Sequence, residues 1–195
     1  MGYRLVLLLF AVVLGGVLGA CGKEIGDACT IASDCSPNGD RICLDPEDPT
    51  HPEIPNLWKG YCTIQGCDYS TCPDEAACIR FFTGNFSNKT CDPAVTADAC
   101  TDNPGACCSL DELCSIEGAI DLIKGHCVPR SSEIRYCMRT CDADGDCRDG
   151  YECRDLEKMK AHGGEPVLAP PLPGKPAPIV DEHSPKFCAA APVTP

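Results

Sequence analysis

The chain has 195 residues, with 29 Asp and Glu against 16 Lys and Arg for a net charge of −13, and it carries 19 cysteines and 18 prolines. After position 20, Leu, Ile, Val and Phe supply only about 16% of the residues; a strongly charged chain below ~20% does not offset its conformational entropy, ~1–2 kcal/mol per residue, with an apolar core alone. The acidic balance and the lack of any basic stripe exclude nucleic acid as a partner, because phosphate binding needs clustered Lys and Arg.

At the N-terminus, Arg4 supplies one positive charge, Leu5 to Leu14 is unbroken apolar sequence, and small residues follow up to Ala20. This is the layout of a secretory signal peptide over residues 1–20, and the run is shorter than the ~20 apolar residues a membrane span needs. A general signal peptidase requires small residues one and three positions before its cut, and Leu18 occupies the outer of these. Leu18-Gly19-Ala20-Cys21 instead resembles the lipobox of bacterial lipoproteins, and the rest of the chain resembles the cysteine-rich members of that group. The resemblance implies a diacylglyceryl thioether on Cys21, residues 21–28 as a lipidated tether, and the membrane as a partner through that lipid. Gly22, where Asp would retain the protein at the inner membrane, implies delivery to the outer membrane. The expected location is therefore the bacterial cell envelope.

Beyond Cys21 the remaining 18 cysteines are expected to form disulfides, since export leads to an oxidising compartment. Zinc is the rival, but no Cys-x-x-Cys pair occurs, and structural zinc sites use such short paired spacings. The cysteines fall into a recurring pattern of two short gaps and one long one. Module 1 covers 29–62 (Cys29, Cys35, Cys43, Cys62) and module 2 covers 67–91 (Cys67, Cys72, Cys78, Cys91). Module 3 covers 100–127 (Cys100, Cys107 or Cys108, Cys114, Cys127), and module 4 covers 137–188 with Cys141, Cys147, Cys153 and Cys188. The long gaps hold 18, 12, 12 and 34 residues. Cys137 and one of Cys107 and Cys108 are left over and are expected to bridge modules 3 and 4. Parity assigns Cys188 to module 4, with Cys147 as its partner if cysteines pair first to third and second to fourth; spacing alone does not fix that connectivity.

Within the modules, turn-forming Ser36 to Gly39, Pro46 to Pro55 and Asp102 to Gly105 separate short elements. Pro73, Asp74 and Glu75 suit the first turn of a helix running toward Phe82. Ser109 and Glu112 form a capping-box pattern, with Leu110, Leu113, Ile116, Ile120 and Ile123 at helical spacing and Gly125 as a stop. Residues 162–186 contain seven prolines and read as an extended, solvated loop, with 189–195 as a tail. The expected fold is small and disulfide-rich, mostly irregular with short hairpins and one or two short helices, built of tandem four-cysteine modules. Cys100 to Pro129 is also similar to the N-terminal cysteine-rich module of Dickkopf-type secreted proteins, in its vicinal cysteines and closing Cys-Val-Pro; the gap before Cys127 is longer. That similarity implies a compact interaction module without catalytic residues.

Candidate chemistry is sparse. Asp142, Asp144 and Asp146 alternate between Cys141 and Cys147, but Gly145 and Cys153 stand where a calcium-binding loop places other residues, so 142–146 reads as an acidic turn. Asn85-Phe86-Ser87 and Asn88-Lys89-Thr90 fit glycosylation sequons and are expected to be bare in a bacterium. His51, His126, His162 and His183 are scattered and lie in no hydrolase or zinc-protease motif. Trp58, Tyr61, Phe81, Phe82 and Phe86 read as a miniature core over the disulfides rather than as displayed anchors. The expectation is a non-enzymatic binding or structural module, without metal or cofactor, for an unknown protein or glycan ligand. The alternatives are a tethered protease inhibitor and an enzyme or redox protein with an unpaired thiol.

Overall fold

Ten short strands carry most of the regular structure, and their pairing follows the cysteines. In the computed structural model, residues 22–44, 60–83, 86–95, 107–175 and 177–192 are described. β1 (Ile42–Leu44) pairs antiparallel with β2 (Tyr61–Thr63), and β3 (Ala76–Phe82) lies between β7 (Glu133–Arg139) and β9 (Glu165–Pro166). β6 (Gly125–Pro129) lies between β4 (Thr90–Cys91) and β5 (Glu112–Ser115), and β8 (Tyr151–Arg154) pairs with β10 (Phe187–Ala190). Two short helices, Ala32–Cys35 and Leu156–His162, complete the described secondary structure apart from two 3-10 turns. The fold is disulfide-rich, stranded and short in its hairpins, as the composition requires.

Four times over, two cysteines face each other across an antiparallel strand pair: Cys43 opposite Cys62, Cys78 opposite Cys137, Cys114 opposite Cys127, and Cys153 opposite Cys188. Each of them bonds back to a cysteine earlier in the chain. The pairs are Cys29–Cys43 with Cys35–Cys62, Cys67–Cys78 with Cys72–Cys137, Cys91–Cys114 with Cys108–Cys127, and Cys141–Cys153 with Cys147–Cys188. First joins third and second joins fourth in every module. The Cα separations, 5.4 to 5.9 Å, are those that a cystine spans without moving the backbone.

This connectivity corrects three sequence expectations. The second module closes on Cys137, not Cys91, so Cys137 is not left over and does not join modules 3 and 4. Cys91 opens the third module instead, which is thereby inserted whole between β3 and β7 of the second. The matching spacings ending at Cys91 and Cys127 mark different roles, because the cysteine that faces Cys78 across the strands and closes its module, Cys137, lies a full module further along the chain.

Both proposed helices are strands. Residues 76–82 form β3, paired along its whole length with β7, where Cys78 and Cys137 face each other and are tied to Cys67 and Cys72, close together in the preceding segment. Only a turn at Pro73, with the Ala76 amide donating to the Pro73 carbonyl at 2.9 Å, survives of the helix start. Ser109 and Glu112 do meet, the Ser109 amide donating to Glu112 Oε2 at 2.9 Å, but the chain then extends as β5 opposite β6. A helix there would carry Cys114 away from Cys127. The proline-rich segment also differs from expectation at its start: Glu165 and Pro166 join β3 as an edge strand, and Glu165 is 2% exposed.

Ile79, Phe81, Tyr136, Met138, Met159, Phe187 and Tyr61 form the centre of the core. Phe81 meets Phe187 edge to face at 6.1 Å, and Tyr61 stacks on Tyr151 at 5.6 Å with the Arg148 guanidinium over both rings. Tyr61 belongs to the first module, so its ring joins that module to the fourth. Its hydroxyl accepts from the Arg139 amide at 2.9 Å, and burial pushes the phenol upward from its ordinary value.

Candidate functional site

The third module and the proline-rich segment together form a groove. Two adjoining clefts of about 380 and 330 Å³ share Asp92, Pro93, Ile116, Ile179 and Val180. β5 carries Leu113 and Cys114 along one wall, and the segment that returns from β9 supplies Leu168, Ile179 and Val180 along the other. The combined space lies in the range of small-ligand sites, ~300–1,000 Å³. Around it stand apolar side chains that nothing in the described chain covers: Leu110 is 95% exposed, Ile120 68% and Ile179 42%. Leu122, 96% exposed, sits at the tip of the turn that the Ile120 to Ile123 bridge closes. Leu110 and Ile120 belong to the helical spacing expected from the sequence; in the structure they stand at an opening, while Ile116 of the same pattern is buried in the core.

The floor of the groove is charged and paired. Arg80 Nε contacts Glu165 Oε1 at 3.0 Å, and Glu165 Oε2 accepts from the Ile116 amide at 3.3 Å. Burial pushes the Glu165 carboxyl above its ordinary range, with Arg80 opposing. At the rim, Lys124 Nζ meets Asp92 Oδ2 at 2.6 Å, which holds that carboxyl below its ordinary range.

Behind the groove lies a second charged cluster. Arg154, 3% exposed, contacts Glu152 at 3.0 Å and donates to the carbonyls of His162, Gly163 and Ala190 at 2.7, 2.8 and 3.0 Å. His162 Nδ1 lies 2.7 Å from Glu152 Oε1. Glu117 packs its carboxylate on the backbone of Gly163, so closely that a Cβ on Gly163 would lie 2.5 Å from Oε2. Burial, and then the charge of Glu165, push the Glu117 carboxyl up to about 7. Neither Glu117 nor Glu165 stood out in the sequence, since a lone Glu beside a Gly or in a proline-rich stretch carries no pattern.

The other candidates take structural places. Asp146 Oδ2 accepts from the amides of Asp142 and Ala143, both at 2.9 Å, and Asp144 Oδ1 accepts from the Cys153 amide at 2.8 Å and from Lys158 Nζ at 2.6 Å. The acidic turn thus spends one carboxylate on its own backbone and another on β8 and the helix that follows it. Tyr61 and Phe81 are buried, Phe82 and Phe86 half-buried, and Trp58 lies outside the described residues. His126 sits in β6 and His183 is exposed beside Glu182, while His51 lies outside the described residues, as does Asn85. Asn88 is exposed. Cys107 is disulfide-bonded; Cys21 and Cys100 lie outside the described residues, so the lipidation site does too. The described cysteines that crowd together in threes do so because adjacent disulfides stack within each module. Among the described residues no helix is long and apolar enough to cross a membrane.

No family model, no curated protein and no solved structure matches this chain.

Proposed function

We propose that this protein is a lipid-anchored, non-enzymatic binding module of a bacterial cell envelope, tethered through Cys21, whose groove receives an apolar segment of a partner protein. The observation that carries the reading is the group of exposed Leu110, Ile120 and Ile179 lining the paired clefts. Uncovered apolar side chains gathered at one opening mark interaction surfaces, whereas singly scattered ones do not. The disulfide frame supports it too, since cystines hold β5 and β6 in place without a large core behind them. A protein segment fits better than a glycan, because aliphatic walls offer sugar hydroxyls few partners.

Site-specific photo-cross-linking in cells tests both parts. A benzophenone side chain at Leu110 or Ile120 is expected to yield a discrete protein adduct in the membrane fraction, while the same probe at exposed Leu172, outside the groove, yields none. In a Cys21→Ser background the precursor is expected to escape lipoprotein processing. No adduct from either groove position, or normal processing of the serine variant, overturns the corresponding part.

A further inference from the structure

We propose that the contact between the third and fourth modules is a proton-operated latch, in which Glu117 closes against Gly163 when protonated and releases the contact when it ionises. The latch stands independently of what the groove binds.

The geometry is that of a carboxyl group wedged between modules. Gly118, next to Glu117, donates its amide to the Lys160 carbonyl at 2.7 Å, and Ile116, on the other side, donates to Glu165 Oε2 at 3.3 Å. Glu117 therefore sits between two bonds that cross the module boundary. Its carboxyl faces the backbone at the C-terminal end of the helix Leu156–His162, where the carbonyl dipoles point outward and disfavour an anion. Arg154 already engages the carbonyls of His162 and Gly163, so its cation is committed there.

Every neighbouring element contributes a charged or titratable group. Glu165 comes from β9, Arg154 and Glu152 from β8, Lys160 and His162 from the helix, His126 from β6 beside Gly118, and Arg80 from β3 beyond Glu165. The like charge of Glu165 is the largest charge acting on Glu117, and Arg154 opposes it only in part. A cleft of about 270 Å³, lined by Phe86, Glu117, His126 and Lys160, opens the site to water. A proton can reach the carboxyl without unfolding.

Consistent with this, burial holds Glu117 at about 7 in the closed form, against 4.5 for a solvated carboxyl. The closed form thus binds the proton more tightly than the open form. Closure is fully favoured below the solvated value, weakens as pH rises toward the closed-form value, and levels off above it. The opening equilibrium should rise by roughly two orders of magnitude across that window.

Amide hydrogen exchange on the full chain with its disulfides intact reads the latch directly. After correction for intrinsic exchange rates, protection of the Gly118 and Ile116 amides is expected to fall about a hundredfold from pH 5 to pH 8, while the Cys137 amide in β7 stays unchanged. Glu117→Gln should hold the boundary closed at pH 8. The carboxyl carbon of Glu117 in the wild type is expected to titrate with a midpoint near 7. A midpoint near 4.5, flat protection across the range, or pH dependence that persists in Glu117→Gln each overturns the proposal. The wild-type titration decides the matter even if the variant fails to fold.

Discussion

Arg154 shows how much a single side chain can organise where apolar surface is scarce. Its guanidinium donates to carbonyls on both sides of the helix end and on β10, and it pairs with Glu152 on its own strand. Such a group is costly to bury but more costly to leave half-satisfied. Arg154→Met removes the charge while keeping most of the volume, and it strands three carbonyls. Glu152 keeps His162 as a neighbour, which limits the loss. The variant is expected to lose about 3 kcal/mol, read as a lower urea midpoint at pH 7 with disulfides intact.

At the scale of elements, strand pairs that look too short to persist are held by the cystines at their centres. β8 and β10 pair over four residues, and Cys147–Cys188 closes a loop with a sequence separation of 41 behind them. Closing such a loop restricts the unfolded chain by ~4 kcal/mol on the entropy model, an upper value because the prolines already stiffen it. The partner is the one that second-to-fourth pairing requires. Replacing both Cys147 and Cys188 by Ser should cost ~2–4 kcal/mol and make residues 168–186 cleavable by added protease, while the first three modules stay resistant. Persistence of an intact 168–186 segment in the double variant would mean that Phe187 and Val180 hold β10 by packing alone.

The whole molecule is an array interrupted by one of its own units. The third module sits inside the second, so Cys72–Cys137, with a separation of 65, is the longest link among the described disulfides and joins chain on either side of the insertion. β3 and β7 bring those flanks together, and the core residues Ile79, Phe81, Tyr136 and Met138 all lie on them. A map of disulfide-linked peptides made without reduction should recover Cys72 with Cys137 and Cys91 with Cys114. Recovery of Cys72 with Cys91 would restore the simple tandem order and remove the insertion.

The sequence by itself determined that this chain must be stapled, that its cysteines recur as two short gaps and a long one, and that Cys188 belongs to the last module. These follow from composition, parity and spacing, which need no knowledge of distant contacts. Tertiary structure alone decided where the second module ends, because spacing cannot distinguish a long loop from a loop that contains a module. It also decided that residues 76–82 and 112–115 are strands. Helix propensities differ by less than ~1 kcal/mol per residue among ordinary side chains, while a cystine fixes its two Cα atoms within ~4.4–6.8 Å of each other. With Cys114 tied to Cys91 and Cys127 to Cys108, and β5 extended along β6, the Leu110 to Ile123 pattern could not form one helical face: Ile116 entered the core. Leu110 and Ile120 were left at the surface, and the groove beside them exists only because residues 177–181 return to the third module from a distant part of the chain.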